Sequence, residues 1–400
     1  MSFPQIANYT QAIQQNGARV FRTIRAESFE PSNLIPIKIY HYGVGAFAVV
    51  FKIKMNNRYH AVRCFLSSKE DISGRYSSIS AYLGNCSDLD WKVDFEYLQN
   101  EMNIGGTNYP IVLMDWIDGI TIGKYVTLNQ TDAGALTSLQ QKLIALSNSL
   151  TNNKIGHGDL QSGNILISKG DNRLKLIDYD GMYVPSLTGK KSTELGRPEY
   201  QHPGRNKNHY DEKIDWFSIW VMITAIEAVK IDPKLWNRKS QGGFNSQENF
   251  LFLGEDFINP GQSNLFNILL NKNDKKLQFY LKKLLAFCSG GISAVEKPTL
   301  AESLYPGANP SSAPFTQNGN SGYAPEAVPL PKDVPATGKF SIRSNPSANV
   351  LTKSLKKIST TPCELDKAEY AGKSIILNYS GKTKTIELRP EKDSYSFDFI

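Results

Sequence analysis

Two short stretches place Asp and Asn side chains at fixed spacings in the middle of the chain. The first is His157-Gly158-Asp159-Leu160-Gln161-Ser162-Gly163-Asn164, running into the apolar Ile165 to Ile167. The second follows the apolar run Leu174 to Ile177 and reads Asp178-Tyr179-Asp180-Gly181. Phosphoryl transfer from ATP needs a carboxylate to orient the attacking hydroxyl and oxygen ligands to hold Mg²⁺ on the phosphates. Asp159 suits the first role. Asn164 and Asp178 suit the second, because Mg²⁺ prefers hard oxygen ligands. Either stretch alone could be an Asp-containing turn beside a hairpin. Their order, and the two apolar runs that join them, favour a site.

The elements that must hold these residues are readable on both sides. Three strand-like runs, IKIYHYG, AFAVVFKIK and RYHAVRCF, fill Ile37 to Phe65, with a turn at Asn56-Asn57. Between the first two lies Gly43-Val44-Gly45-Ala46-Phe47-Ala48-Val49-Val50, at a strand–turn–strand and not a strand–helix junction, which argues against a dinucleotide fold. Glycines there would let the backbone approach phosphate oxygens, and Val50 would cover a flat base; alone, the run is also what a plain hairpin needs. A helix is expected after Asp71 and up to Leu83. From Thr131 to Leu150, Leu136, Leu139, Leu143, Leu146 and Leu150 recur at helical spacing. Trp216 to Val229 contains Glu227 and is too short to span a bilayer, so it reads as a buried core helix. Strands first and helices after define an α+β chain of segregated elements.

Composition narrows the class. With 400 residues, 40% of them hydrophobic and 21% charged, the chain is not wholly disordered and is long enough for two or three folded units. A net charge of +7 is too diffuse for the basic face of a nucleic-acid binder. Four scattered cysteines and five scattered histidines offer neither CxxC nor HExxH, which argues against a disulfide scaffold or a zinc site. The N-terminus lacks a basic and then apolar signal, and a cytoplasmic protein without a membrane span is expected. Around residues 303–337 the chain is dense in Pro, Gly, Ser and Asn, as in a linker. Beyond it, Ser374 to Tyr379 and Thr383 to Leu388 read as half-buried antiparallel strands. Gly372-Lys373-Ser374 and Gly381-Lys382-Thr383 lack the earlier glycine of a P-loop and are decoys.

Taken in order, the motifs resemble those of the protein-kinase superfamily, across about residues 36 to 302. Gly43 to Val50 resembles the Gly-rich loop, with Ala48 in place of its third glycine, and His60-Ala61-Val62-Arg63 resembles the V-A-I-K strand. Leu113-Met114-Asp115-Trp116-Ile117 is similar to the hinge, with Met114 as gatekeeper. His157 to Asn164 is similar to the H-R-D-x-x-x-x-N loop, Asp178-Tyr179-Asp180 to D-F-G, and Gly196-Arg-Pro-Glu-Tyr200 to the end of the activation segment. Asp215-Trp-Phe-Ser218 resembles the start of the central buried helix. The resemblance implies a bilobal fold with ATP between a β-rich and a helical lobe. It implies that Gly43, Val44, Gly45, Val50, Ala61, Arg63, Met114, Asp115, Trp116 and Ile117 bind ATP. Asp159, Asn164 and Asp178 would be catalytic, Asn164 and Asp178 would hold Mg²⁺, and protein Ser/Thr hydroxyls would be the acceptors.

Departures from the pattern keep other activities open. Arg63 stands at the lysine position, a substitution that is not conservative. No acid lies inside the following helix, and Glu70 precedes it. Gly158 replaces the H-R-D arginine, removing the usual reader of an activation-loop phosphate; Gln161 replaces the loop lysine. Asp180 replaces the D-F-G glycine and adds charge near the metal site, and Gly204 replaces the A-P-E glutamate. These features resemble a divergent bacterial branch of Ser/Thr-kinase-like proteins. A pseudokinase that binds nucleotide without turnover is the alternative, followed by a small-molecule kinase similar to aminoglycoside phosphotransferases. The segment around Pro198-Glu-Tyr200 argues against the last. His157 reads as structural, Asp215 as a backbone anchor, and Ser186, Thr188, Ser192 and Thr193 as solvated hydroxyls or phosphoacceptors. Ile342-Arg-Ser-Asn345-Pro346, Ser359-Thr-Thr-Pro362 and Ala371-Gly372-Lys373, with the turns that Asn-Pro and Thr-Pro make at strand ends, resemble a PEGA-type β-domain over residues 338–400, which would bind a partner or ligand. The expected organisation is an extension (1–35), a kinase-like domain (36–302), a linker (303–337) and a small antiparallel β-domain (338–400).

Overall fold

The computed structural model describes residues 3–31, 40–44, 47–67, 71–246, 248–301, 339–345, 349–352, 357–361, 363–366, 374–379, 382–388 and 394–398. Gly45, Glu70 and the stretch 303–337 therefore lie outside the described residues. The chain divides into two compact units, Met1–Ser312 and Ala313–Ile400.

The first unit begins with α1 (Ile6–Asn16) and then a six-stranded sheet formed by β1 (Ser28–Glu30), β2 (His41–Val44), β3 (Ala48–Met55), β4 (Arg58–Phe65), β5 (Phe95–Ile104) and β6 (Thr107–Asp115). Its order is β1-β3-β4-β6-β5, with β2 also on β3. Asn56 and Asn57 join β3 to β4 at φ +51° and +63°, the two left-handed residues that a tight hairpin requires. Helix α2 (Ile72–Gly84) sits between β4 and β5 in sequence. Residues 3–31, part of the stretch read from sequence as an extension, are built into this layer. β1 pairs with β3, and Tyr9, Ile13, Phe21 and Phe29 share one buried cluster with Phe51, Val62 and Met102. The Tyr9 O–H donates to the Phe65 carbonyl at 2.8 Å.

After Asp115 the chain becomes mainly helical. A three-stranded sheet, β7 (Gly119–Thr121), β8 (Ile165–Ser168) and β9 (Leu174–Leu176), accompanies α3 (Ile122–Asn129) and α4 (Ala133–Asn152). Asp132 starts α4 by accepting the Ala135 N–H at 2.9 Å, and the five leucines of its stripe are all buried. α5 (Trp216–Ile231) is buried from Phe217 through Val229. Its one acid, Glu227, is matched by Lys230 at 2.8 Å and Gln140 at 3.0 Å, as a buried charge must be. α6 (Gly254–Ile258), α7 (Asn264–Leu270) and α8 (Lys275–Ser289) complete the unit. No helix among the described residues is long and apolar enough to cross a membrane.

In the second unit, β10 (Lys339–Asn345), β11 (Asn349–Thr352), β12 (Lys357–Thr360), β13 (Cys363–Asp366), β14 (Ser374–Tyr379), β15 (Lys382–Glu387) and β16 (Ser394–Asp398) form two sheets, β13-β10-β16 and β12-β11-β14-β15. Ile342, Val350, Ile375, Leu377 and Ile386 are buried together. One expectation is corrected: the strands are not all antiparallel, because β10 and β16 pair in parallel. No tight turn joins these two strands, so hairpin geometry does not fix their relative direction.

Candidate active site

The β8–β9 hairpin sets the spacing of the first group. Its ladder pairs Ile165 with Leu176, so Asn164, just before β8, lies beside the end of β9, and its carbonyl accepts the Ile177 N–H at 3.1 Å. Asp178 is the next residue. Asn164 donates Nδ2 to the Asp159 carbonyl and to Asp159 Oδ2, each at 2.9 Å. Asp159 Oδ2 also accepts from Gln161 at 3.3 Å, and Oδ1 from the Arg197 N–H at 3.3 Å. One carboxylate thus touches both its own loop and the segment after Gly196. No described hydrogen bond uses Asn164 Oδ1, so the side chain keeps a hard-oxygen donor.

The Asp159 loop is tied down by hydrogen bonds to Asp215 and His157. Asp215 accepts the His157 N–H at 2.5 Å and the Gly158 N–H at 2.9 Å. Complete burial raises its pKa, against the pull of His157 and those N–H groups. The His157 ring bonds the Ile177 carbonyl through Nε2 at 2.9 Å and accepts the Asp159 N–H through Nδ1 at 3.4 Å. It therefore ties the loop of Asp159 to the strand that leads into Asp178. Its edge meets Tyr179 at 6.1 Å between centroids, Tyr179 meets Phe95 at 5.2 Å, and Phe95 meets Tyr76 of α2 at 5.7 Å. The Tyr179 hydroxyl accepts the Val93 N–H at 2.9 Å.

The second group lies on the β-sheet. Arg63 of β4 is paired in register with Val50 and Val112, and its side chain is 14% exposed. Its guanidinium lies 3.1 Å from Asp178 and 2.5 Å from Asp180. Burial opposes its charge, but the two carboxylates outweigh burial and hold its pKa above the ordinary arginine value. Asp178 adopts φ +65°, a left-handed conformation costing roughly 1–2 kcal/mol for a non-glycine residue. With Tyr179 turned into the aromatic column, both aspartates reach one cation. Gly43 and Val44 of β2 pair with Val50 and Val49 of β3. Ala61 pairs with Met114, His60 with Asp115, and Trp116 and Ile117 lead from β6 toward β7. Arg63, Val50, Ala61, Met114 and Asp115 thus sit on neighbouring strands.

Sequence reasoning missed two buried arginines. At Gly158, φ is +84° and an added Cβ would stand well inside 3.0 Å of the Gly181 carbonyl, so no side chain fits. Arg205 comes from another segment instead: Nη2 donates to the Gly158 carbonyl at 2.8 Å, and Nη1 to Gln201. Arg75 of α2 donates to the Lys191 carbonyl at 2.6 Å and the Tyr210 hydroxyl at 3.0 Å, while Asp71 pairs with Lys190 at 2.5 Å. Both arginines could have drawn notice only as cations flanking recognised motifs, a weak signal. Of the four hydroxyls weighed as phosphoacceptors, Ser192 is buried on the Glu194 carbonyl and Thr193 donates to the Asp180 carbonyl at 3.1 Å. Ser186 and Thr188 are exposed.

The fold has mixed α/β content with a β-sheet N-terminal region. No family model matches the chain. It is 32% identical to the serine/threonine-protein kinase dst4 of Dictyostelium discoideum over 139 residues, covering 32% of this chain and 28% of dst4. It is 27% identical to the serine/threonine-protein kinase max-2 of Caenorhabditis elegans over 123 residues, covering 30% of this chain and 19% of max-2. The serine/threonine-protein kinase shk1/pak1 of Schizosaccharomyces pombe is 30% identical over 129 residues, covering 32% of this chain and 19% of its own length. The chain thus spans less than a third of these curated relatives. Among solved structures, the Cydia pomonella granulovirus kinase PK-1 aligns at a TM-score of 0.41 and 14% identity, over 64% of this chain and 88% of its own. The sequence relatives support the protein-kinase superfamily.

Proposed function

We propose that the chain is an ATP- and Mg²⁺-dependent phosphotransferase acting on Ser/Thr hydroxyls of proteins, of the divergent bacterial kind. The observation that carries this reading is the Asp159 carboxylate, held between Asn164 and the Arg197 N–H. A hydroxyl brought to Asp159 gives up its proton to the carboxylate. Its oxygen bonds the γ-phosphorus as the bond to the β–γ bridging oxygen breaks, and ADP leaves. Asn164 Oδ1 and the Asp178 carboxylate are the hard oxygens that fit Mg²⁺ on the phosphates, where it would offset charge on the transferred group. Among the described residues no cluster of three or more His, Cys, Asp or Glu offers a separate metal centre. Arg63 would meet the α- and β-phosphates, with the adenine against Val50, Ala61 and the backbone of Asp115 to Ile117. Gly43, Val44 and Gly45 would cover the phosphates.

A second reading, nucleotide binding without turnover, is favoured by one contact: Arg63 engages Asp178, the residue assigned to the metal. The proposed organisation keeps a kinase-like domain to residue 302, a linker over 303–337 and a PEGA-like β-domain from 338 that takes a partner or ligand, in a cytoplasmic protein. The test is transfer of label from γ-labelled ATP with Mg²⁺ to generic protein substrates, beside Asp159→Asn and Asp178→Ala. Label moved by the parent and by neither variant supports a kinase. ATP bound without any transfer leaves the second reading.

A further inference from the structure

Helix α2 carries no acidic residue between Ile72 and Gly84. A buried guanidinium such as that of Arg63 still needs a counter-charge, because an unpaired buried ion is strongly destabilising. That charge comes from another element. Asp180, whose side chain is wholly buried, lies 2.5 Å from Arg63 and accepts the O–H of Tyr76 on α2. Tyr76 has little freedom: it stacks on Tyr97 at 5.4 Å and meets Phe95 and Phe65 edge-on at 5.7 and 6.5 Å. The Asp180 carbonyl, in turn, receives the Thr193 hydroxyl.

We propose that Asp180 is the positioning residue that holds Arg63 for the nucleotide phosphates, and that Tyr76 couples its placement to helix α2. The proposal rests on the nucleotide-binding part of the reading above. A carboxylate shared with phosphate-bound Mg²⁺ has less charge to offer Arg63, so Asp178 is the weaker lasting partner. Asp180 lies deeper and is bonded to a fixed tyrosine, so it keeps the guanidinium in place when Asp178 turns to the metal. The acid and the metal ligand therefore come from one four-residue motif, and α2 contributes a hydroxyl where it lacks a carboxylate.

The test is calorimetric titration of the full chain with Mg²⁺-ATP and, separately, with adenosine, for the parent, Asp180→Asn, Asp180→Glu, Tyr76→Phe and the Tyr76→Phe/Asp180→Asn double variant. Loss of a charge-assisted contact predicts that Asp180→Asn weakens ATP binding about tenfold or more. Adenosine affinity should be unchanged, and Asp180→Glu should recover part of the loss. Tyr76→Phe should weaken ATP binding less, and should add nothing in the double variant because the tyrosine acts through the aspartate. Unchanged ATP affinity in Asp180→Asn overturns the proposal and leaves the kinase reading standing; an equal loss for adenosine overturns it in favour of a merely structural role. A parent that binds no nucleotide overturns both readings. Should Asp180→Asn fail to fold, Tyr76→Phe, which removes one oxygen, decides alone.

Discussion

Gly158 gives the sharpest test of the loop that holds Asp159. The kinase pattern has arginine at this position, so a reading by resemblance expects Gly158→Arg to be harmless or beneficial. The structure predicts the reverse. A side chain at φ +84° costs roughly 1–2 kcal/mol by itself. The added Cβ also overlaps the Gly181 backbone carbonyl, and forcing atoms into packed space costs about 1–3 kcal/mol more. Gly158→Ala should therefore lose about 2–5 kcal/mol, roughly thirtyfold to several-thousandfold in the folding equilibrium, and Gly158→Arg at least as much. Gly189 is the internal control, with φ +82° but no atom within 4 Å of an added Cβ, so Gly189→Ala bears only the backbone part. Urea unfolding followed by tryptophan fluorescence isolates the effect, because all five tryptophans precede residue 237. Equal urea midpoints for Gly158→Ala and Gly189→Ala would refute the close approach to Gly181.

Other expected outcomes follow from the same contacts. Tyr179→Phe, which restores the D-F-G residue, removes the acceptor of the Val93 N–H and should cost about 1–2 kcal/mol in urea unfolding with its ring packing kept. Arg75→Met strips the Lys191 carbonyl and Tyr210 hydroxyl of a charged donor. It should cost about 2–4 kcal/mol and speed amide exchange around Lys191 to Glu194, which hydrogen-exchange mass spectrometry would register. The Asp71 carboxyl is held below its ordinary pKa by its bond to Lys190. A depressed carboxyl contributes stability above its unfolded pKa and loses it as pH falls through the folded one. Carboxyl NMR should therefore show the Asp71 midpoint rising toward the ordinary aspartate value in Lys190→Met, and no rise would refute the pair.

How much of this was legible in the sequence depended on whether a contact was local. The β3–β4 hairpin follows from two adjacent asparagines, α4 from a leucine stripe with an aspartate cap, and α5 from an apolar run with one acid. The nearness of Asn164 to Asp178 follows from the two apolar runs that pair as β8 and β9. The partner of Arg63 was not legible. Sequence directs the search to α2, where pattern expects an acid, whereas the acid lies 117 residues along the chain. Asp180 read as surplus charge because nothing local says that Tyr179 points away while its neighbours converge. Arg205 and Arg75 escaped for a related reason: each donates to a backbone carbonyl far away in sequence, that of Gly158 or Lys191, which carries no residue identity to read.

The departures from the kinase pattern are linked, and that linkage limits what single substitutions can reveal. Asp180 replaces a glycine and provides the charge that α2 lacks. Gly158 replaces an arginine where the Gly181 carbonyl leaves no room, and Arg205 brings a cation back to the Gly158 carbonyl from beyond Gly204. Groups that share partners give non-additive energies. Asp180→Gly alone returns the chain toward the pattern yet leaves Arg63 with Asp178 as its sole ion-pair partner among the described residues, so it should weaken ATP binding. Arg63→Met alone takes from Asp178 and from the buried Asp180 the cation they share. Combined with Asp180→Gly, it removes cation and counter-ion together, and should cost less stability than the sum of the two single changes. Strict additivity in a double-mutant cycle on urea midpoints would show that Arg63 and Asp180 are not coupled.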